Sequence, residues 1–277
     1  MKMEDHSLSI IIPVFNQESS LKRSLGILKD QIGDNKGVEI VVIDNDSSDD
    51  SRKIAESFDV KVFTFKEEKN PYLTRNFGVS KSNGDVLAFL DSKCTPKSDY
   101  LQQIFKAIKE YEDWDLIAGD FELEGLTSDA SLSELAYAVT NLRVAPKYNA
   151  GEISALTGNM IVKKEVFEEL NGFDAQRSGG DIRFTRKAKS AQKRIKYNPN
   201  LITTYQAKEK EDLLASIKRD ARDMDGTLSL TSVRPAGWEY MKDRLNDLKI
   251  SLGFWKMLRL SIYIMYLRFI RYNHQGE

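Results

Sequence analysis

The sequence predicts an α/β fold, a Rossmann-like sheet with flanking helices, from three observations. Short apolar runs rich in β-formers alternate with helix-spaced segments through residues 8–90. Two of these runs end in acidic and polar residues, Asp44-Asn45-Asp46-Ser47-Ser48-Asp49 and Asp91-Ser92-Lys93. In an open α/β sheet such a junction is the carboxyl end of a strand, where ligands bind. An Asn83-Gly84 turn closes the last helix–strand passage.

Leu8–Phe15 reads as a buried strand closed by Pro13, which has no N–H for a central ladder. Ser19–Gln31 carries Leu21, Leu25, Ile27 and Leu28 at helical spacing. The strands Val38–Ile43, Val60–Phe65 and Asp85–Leu90 then alternate with helices over Ser51–Phe58 and Tyr72–Lys81. Right-handed crossovers bring the strand ends at 13–16, 44–49 and 91–93 to one edge of the sheet. Further on, Ser98–Lys109 is predicted helical, Leu116–Leu123 extended, and 127–146 a helix with loops. A Thr157-Gly158-Asn159 turn precedes the apolar Met160-Ile161-Val162. The glycine-rich stretch Gln176–Asp181 is loop-like and runs into a helix over Ile182–Ala191, which sets Asp181 near its N-cap. Residues 211–230 form a further helical stretch, and Arg234–Gly237 is a break.

The 277 residues can bury a substantial core, and 41% hydrophobic with 30% charged residues describes a globular rather than a disordered chain. A formal charge of −1 gives no electrostatic footprint for nucleic acid. One cysteine, Cys94, excludes an internal disulfide framework, and two histidines near the termini, His6 and His274, exclude a His-rich metal site. Residues 1–6 hold no apolar signal core, so the default location is cytoplasmic. Near the C-terminus, residues 252–271 carry Lys256, Arg259, Arg268 and Arg271 and no acidic residue. These charges interrupt a transmembrane run and leave two readings, a cationic amphipathic helix on an anionic membrane surface or a helix packed on the protein.

Read together, the motifs resemble the family-2 inverting glycosyltransferases, nucleotide-sugar enzymes of the glycosyltransferase A fold. The matching pieces, in order, are Ile12–Glu18, Val42–Asp49, Thr74–Gly78, Phe89–Ser92, Thr157–Asn159, Asn171–Asp174 and Gly179–Asp181. The resemblance implies a catalytic domain over 1–210, with a nucleotide-binding half at 1–97 and an acceptor half at 98–210. A helical extension follows at 211–277. It implies that Pro13, Phe15, Asn16, Glu18, Asp44, Asn45, Ser47, Arg75, Asn76, Asp91, Ser92, Lys93, Gly158, Asn159, Gly179 and Gly180 line the substrate and nucleotide site. Asp181 would be the base that deprotonates the acceptor hydroxyl. The bland alternatives are that Asp181 caps its helix, that Ser48 or Asp49 caps the helix after them, and that Arg75 forms a surface ion pair.

The chain departs from that pattern at the metal motif, where Asp-x-Asp reads Asp91-Ser92-Lys93 and no histidine stands near Thr203–Gln206. Asp91 with diphosphate oxygens and water could still hold Mg²⁺ or Mn²⁺, or the Lys93 ammonium could neutralise the diphosphate itself. Loss of turnover, leaving a non-catalytic nucleotide-sugar-binding protein, is the third alternative. The resemblance further implies a nucleotide-sugar donor and a glycan or lipid-linked acceptor in bacterial surface-polysaccharide synthesis. The chain would then work as a peripheral protein at the inner face of the plasma membrane.

Overall fold

The computed structural model describes residues 7–140, 152–176, 179–206, 242, 245–246 and 250–273. The first four strands are β1 (Leu8–Val14), β2 (Val38–Asp44), β3 (Lys61–Thr64) and β4 (Val86–Phe89). Between them run α1 (Glu18–Ile32), α2 (Ser51–Glu56) and α3 (Pro71–Ser80). Then follow β5 (Cys94–Pro96), α4 (Tyr100–Glu110), β6 (Leu116–Glu124), α5 (Leu132–Thr140), β7 (Met160–Lys163), α6 (Lys164–Glu169), α7 (Gly180–Ser190), β8 (Ile195–Gln206) and α8 (Phe254–Asn273). The expected helix over 211–230 lies outside the described residues.

One mixed sheet orders its strands β3-β2-β1-β4-β7-β6-β8-β5. The β1–β2, β2–β3 and β1–β4 pairs are parallel, as expected, whereas β7 runs antiparallel to β4 and to β6, and β5 antiparallel to β8. Every residue of β1 is buried, because helices cover both faces of a parallel sheet, so the run is continuously apolar. Strand order reverses between β1 and β4, and an open α/β sheet has its crevice at the carboxyl ends of such a pair.

Pro13 is tolerated inside β1 because of side alternation. Asn45 N donates to Val14 O at 2.8 Å, so Val14 faces β2 and Pro13 nitrogen faces the β4 side. There the last rung is Leu90 N donating to Ile11 O at 3.1 Å, and the paired residues stop at Ile11 and Phe89. The missing N–H therefore falls at the end of the ladder and not in its middle.

Helix α3 begins with an Asn-Pro signature. Asn70 is the N-cap, accepting from Tyr72 N at 2.9 Å, and Pro71 fills the first turn. The Asn70 amide also donates to Ala175 O, which ties the helix start to the segment leading into α7. Leu73 and Phe77 pack on Val41, Ile43 and Phe65, leaving Tyr72 and Arg75 on the opposite side of the helix's first turns.

Contacts divide the chain into two compact units, 1–121 with 144–205 and 122–143 with 206–277. In the second unit α8 buries Met257, Leu260, Ile264 and Leu267 and packs on α5. Lys256 Nζ donates to Ser128 O within the same unit. The packed-helix reading thus holds for one face of α8. Its other faces still expose Trp255 (74%), Ile262 (54%), Met265 (60%) and Tyr266 (49%).

Candidate active site

The candidate residues fall into two neighbouring groups on the carboxyl edge of the parallel strands. The first is built by the loops after β1 and β2, which interlock. Asn16, in the left-handed region at φ 50°, accepts from Ser48 N at 2.8 Å and donates its own N–H to Ser47 Oγ at 3.1 Å. Glu18 N donates to Asp49 Oδ2 at 3.1 Å, and Glu18 Oε2 accepts from Asp50 N at 3.1 Å. Asp44 is buried and accepts from Ser47 N at 3.2 Å. Asn45, also buried, spends its amide donors on Phe65 O and Glu68 O at 2.8 and 3.0 Å. Phe15 stands 42% exposed at the end of β1, with Lys69 Nζ 4.5 Å from its ring centroid. Helix α2 takes Asp50 as N-cap, while Asp49 Oδ1 accepts from Ser51 N at 3.0 Å, so Asp49 shares the capping work and Ser48 does not.

The second group surrounds Asp181. Gly179 is the N-cap of α7 at φ 68°, Gly180 opens the helix, and Asp181 lies inside its first turn. The N-cap position belongs to Gly179, yet Asp181 does more than serve the helix start: Oδ1 accepts from the first-turn Ile182 N at 2.9 Å and from Tyr72 hydroxyl at 3.2 Å, and Oδ2 from Thr157 N at 3.5 Å. Glycine at 180 is a matter of space, since a Cβ there would meet the Tyr72 ring at 2.8 Å. Burial pushes the Asp181 carboxyl above its ordinary range, Arg75 opposes that shift, and the neighbouring Asp91 adds to it. Burial and the Asp181 charge push the Tyr72 phenol up as well, so it stays a proton-bearing donor.

Arg75 links the group to the end of β4. It is buried, donates to Pro71 O at 2.9 Å, and forms an ion pair with Asp91. The Arg75 side of this pair is buried and Asp91 is half-buried, unlike the surface bridge of the bland reading. Its Nε has no partner among the described residues. Asp91 also opens a tight turn, with Cys94 N donating to Asp91 O at 2.8 Å; Ser92 is buried within it and Lys93 is exposed at its tip.

Three expected residues serve the frame. Asn159 is wholly buried: its Oδ1 accepts from Tyr100 hydroxyl at 3.1 Å and its amide donates to Asp120 O and Leu201 O at 2.9 and 2.8 Å. Gly158 leaves room for Phe121, whose ring a Cβ would meet at 2.9 Å. Asn76 exchanges two bonds with the Phe173 backbone, at 2.8 and 3.0 Å. Tyr72, the one direct side-chain partner of Asp181 among the described residues, was missed in the sequence. The signal available was its place three residues before Arg75 on a helix with an unmistakable start.

A divalent ion does not fit this donor set. Asp91 is committed to Arg75, Lys93 holds the position two residues on, and Thr203–Gln206 offer no imidazole. Among the described residues no group of three or more His, Cys, Asp or Glu could hold a metal. A protonated lysine cannot ligate, and a cation placed at Asp91 would meet the guanidinium already there.

The comparisons with known proteins agree with this geometry. Glycosyltransferase AglE of Haloferax volcanii is 27% identical over 213 residues, 75% of this chain and 69% of that one. The GalNAc(5)-diNAcBac-PP-undecaprenol beta-1,3-glucosyltransferase of Campylobacter jejuni is 24% identical over 184 residues, 61% of this chain and 57% of that one. Among solved structures, mannosyltransferase PcManGT from Pyrobaculum calidifontis, in complex with GDP-Man and Mn²⁺, superposes with TM-score 0.58 at 14% identity, covering 98% of this chain and 72% of that one. It has the glycosyltransferase A fold that the mixed sheet with flanking helices displays here. The model of glycosyl transferase family 2 matches residues 9–170, more than half of the chain. The chain therefore belongs to glycosyl transferase family 2, and it is a glycosyltransferase enzyme.

Proposed function

We propose that this glycosyltransferase inverts configuration in a single displacement, with residues 1–210 as its catalytic domain and Asp181 as base. The observation that carries the reading is the environment of Asp181. It is half-buried at the carboxyl edge, oriented by Tyr72 and Ile182 N–H, with its carboxyl raised by burial. A base works best when its pKa approaches the operating pH, and that shift moves an aspartate in the useful direction. The acceptor hydroxyl gives its proton to Asp181 while its oxygen bonds to the anomeric carbon. On the opposite face the bond to the diphosphate oxygen breaks and the electron pair leaves with the nucleotide. Phe15, exposed at the end of β1, is the surface for the base, and Asp44 lies at the neighbouring strand end for the ribose or base edge.

The acceptor we assign is a glycan or a lipid-linked saccharide, in surface-polysaccharide synthesis at the inner face of the plasma membrane. Two observations support it: the lipid-linked acceptor that the Campylobacter relative's name carries, and the exposed apolar residues of α8. Trp255, Leu258, Ile262 and Met265 recur at helical spacing, among the basic Lys256, Arg259, Arg268 and Arg271. No helix among the described residues is long and apolar enough to cross a membrane. Sedimentation with anionic vesicles is expected, with loss in Trp255→Glu/Ile262→Glu. Equal sedimentation of that variant removes the membrane assignment.

Stereochemistry tests the reaction. With the donor found by screening UDP-, GDP- and dTDP-sugars, the product anomer should be opposite to that of the donor. Retention would overturn the single displacement. Equal turnover by wild type and Asp181→Ala would remove Asp181 as the base.

A further inference from the structure

We propose that two side-chain cations, Lys93 and Arg75, neutralise the donor diphosphate, and that donor binding requires no divalent ion. This rests on the nucleotide-sugar reading above and names the cation of that same site.

The turn after β4 supplies the first cation. Its Asp91 O···Cys94 N closure projects Lys93 from the carboxyl edge beside the strand-order reversal, where a diphosphate would lie. Lys93 is exposed and has no ion pair among the described residues, whereas Lys53, Lys61, Lys187, Lys189 and Lys193 each hold a carboxylate. An ammonium on a four-carbon stem can follow a phosphate through bond breaking, offering three donors.

Arg75 is the second. Its guanidinium is buried, is held by Asp91 and Pro71 O, and still carries an unpartnered Nε. A buried donor without an acceptor is costly, and a phosphate oxygen would satisfy it. Asp91 is then a positioning residue, fixing Arg75, and not a ligand. A metal taking Asp91 would strip a buried guanidinium of its counter-charge, a strongly unfavourable exchange. Lysine in place of a carboxylate at position 93 also raises the local charge by two units, the charge of the ion it displaces. As the anomeric C–O bond breaks, the electron pair passes to the β-phosphate oxygen. The charge developing there meets the Lys93 ammonium.

The test is calorimetric titration of the full chain with UDP, GDP and dTDP, each in EDTA and in Mn²⁺. At least one nucleotide should bind with the same affinity in both. Lys93→Ala should weaken that binding about tenfold, ~1.4 kcal/mol, in either condition, and Lys93→Arg should restore most of it. Binding by the wild type only in Mn²⁺, or more than tenfold tighter there, would overturn the inference and leave the donor reading standing. Wild-type affinity in Lys93→Ala would also overturn it. Failure of all three nucleotides with and without Mn²⁺ would sink the donor reading, and this inference with it.

Discussion

Replacing Asp181 by asparagine is the sharpest perturbation of the proposed chemistry, because the structure keeps its cost to folding low. Asparagine Oδ1 can still accept from Tyr72 hydroxyl and Ile182 N, the two shorter bonds at 3.2 and 2.9 Å. The new amide faces Thr157 N, whose bond to Asp181 is long at 3.5 Å, so the loss there is no more than ~1 kcal/mol. Removing the charge relieves its burial and its repulsion with Asp91, which offset the lost attraction to Arg75. What disappears is the proton acceptor, and general-base catalysis is worth about 10²–10⁴-fold, or ~3–5 kcal/mol of barrier. Single-turnover release of nucleoside diphosphate should fall by that factor while nucleotide affinity and Tm stay near wild type. A folded variant within about threefold of the wild-type rate would refute the assignment.

Four other outcomes follow from the same geometry. The acid limb of the pH–rate profile should lie above 3.8, since the Asp181 carboxyl is raised, and activity should fall as pH drops through it. Asp91→Asn removes the charge that adds to that rise, so the limb should move to lower pH; a limb unmoved or moved upward would count against the coupling. Gly180→Ala places a Cβ 2.8 Å from the Tyr72 ring and should cut turnover about tenfold by displacing the hydroxyl from Asp181, ~1.4 kcal/mol of barrier, with nucleotide affinity kept. Asn159→Ala leaves Tyr100 hydroxyl and two backbone carbonyls without their buried partner and should lower stability by about 2–4 kcal/mol in urea unfolding.

Strands β1, β2 and β4 were legible because parallel strands covered on both faces are apolar runs, and Leu8–Val14 is buried at every position. Strand β8 was not. Its Asn198-Pro199-Asn200 reads locally as a turn, and what holds it extended is distant: Arg194 grips Asp115 with Nε and Nη2 at 2.8 and 2.9 Å. β5, of three residues, and the single turn and a half of α6 are too short for periodicity to register. In the candidate site, Asp91, Arg75 and Asp181 were picked out by the order of their motifs, since a cap for Asp181 and an ion pair for Arg75 fit the local sequence equally well. Tyr72 was not, since an aromatic at a helix start is equally a core residue. Asn45, Asn76 and Asn159, also expected in the site, spend their amides on carbonyls of the chain, which the sequence does not disclose.

The reciprocal stapling of Asn16–Glu18 to Ser47–Ser51 has a kinetic meaning. Because each loop supplies the other's acceptors, the rim we propose for the nucleoside is ordered before anything arrives, and a ligand there gives up little of its affinity to stiffening the protein. Association at this edge should therefore run as a one-step encounter, with selectivity among bases expressed in how fast each departs.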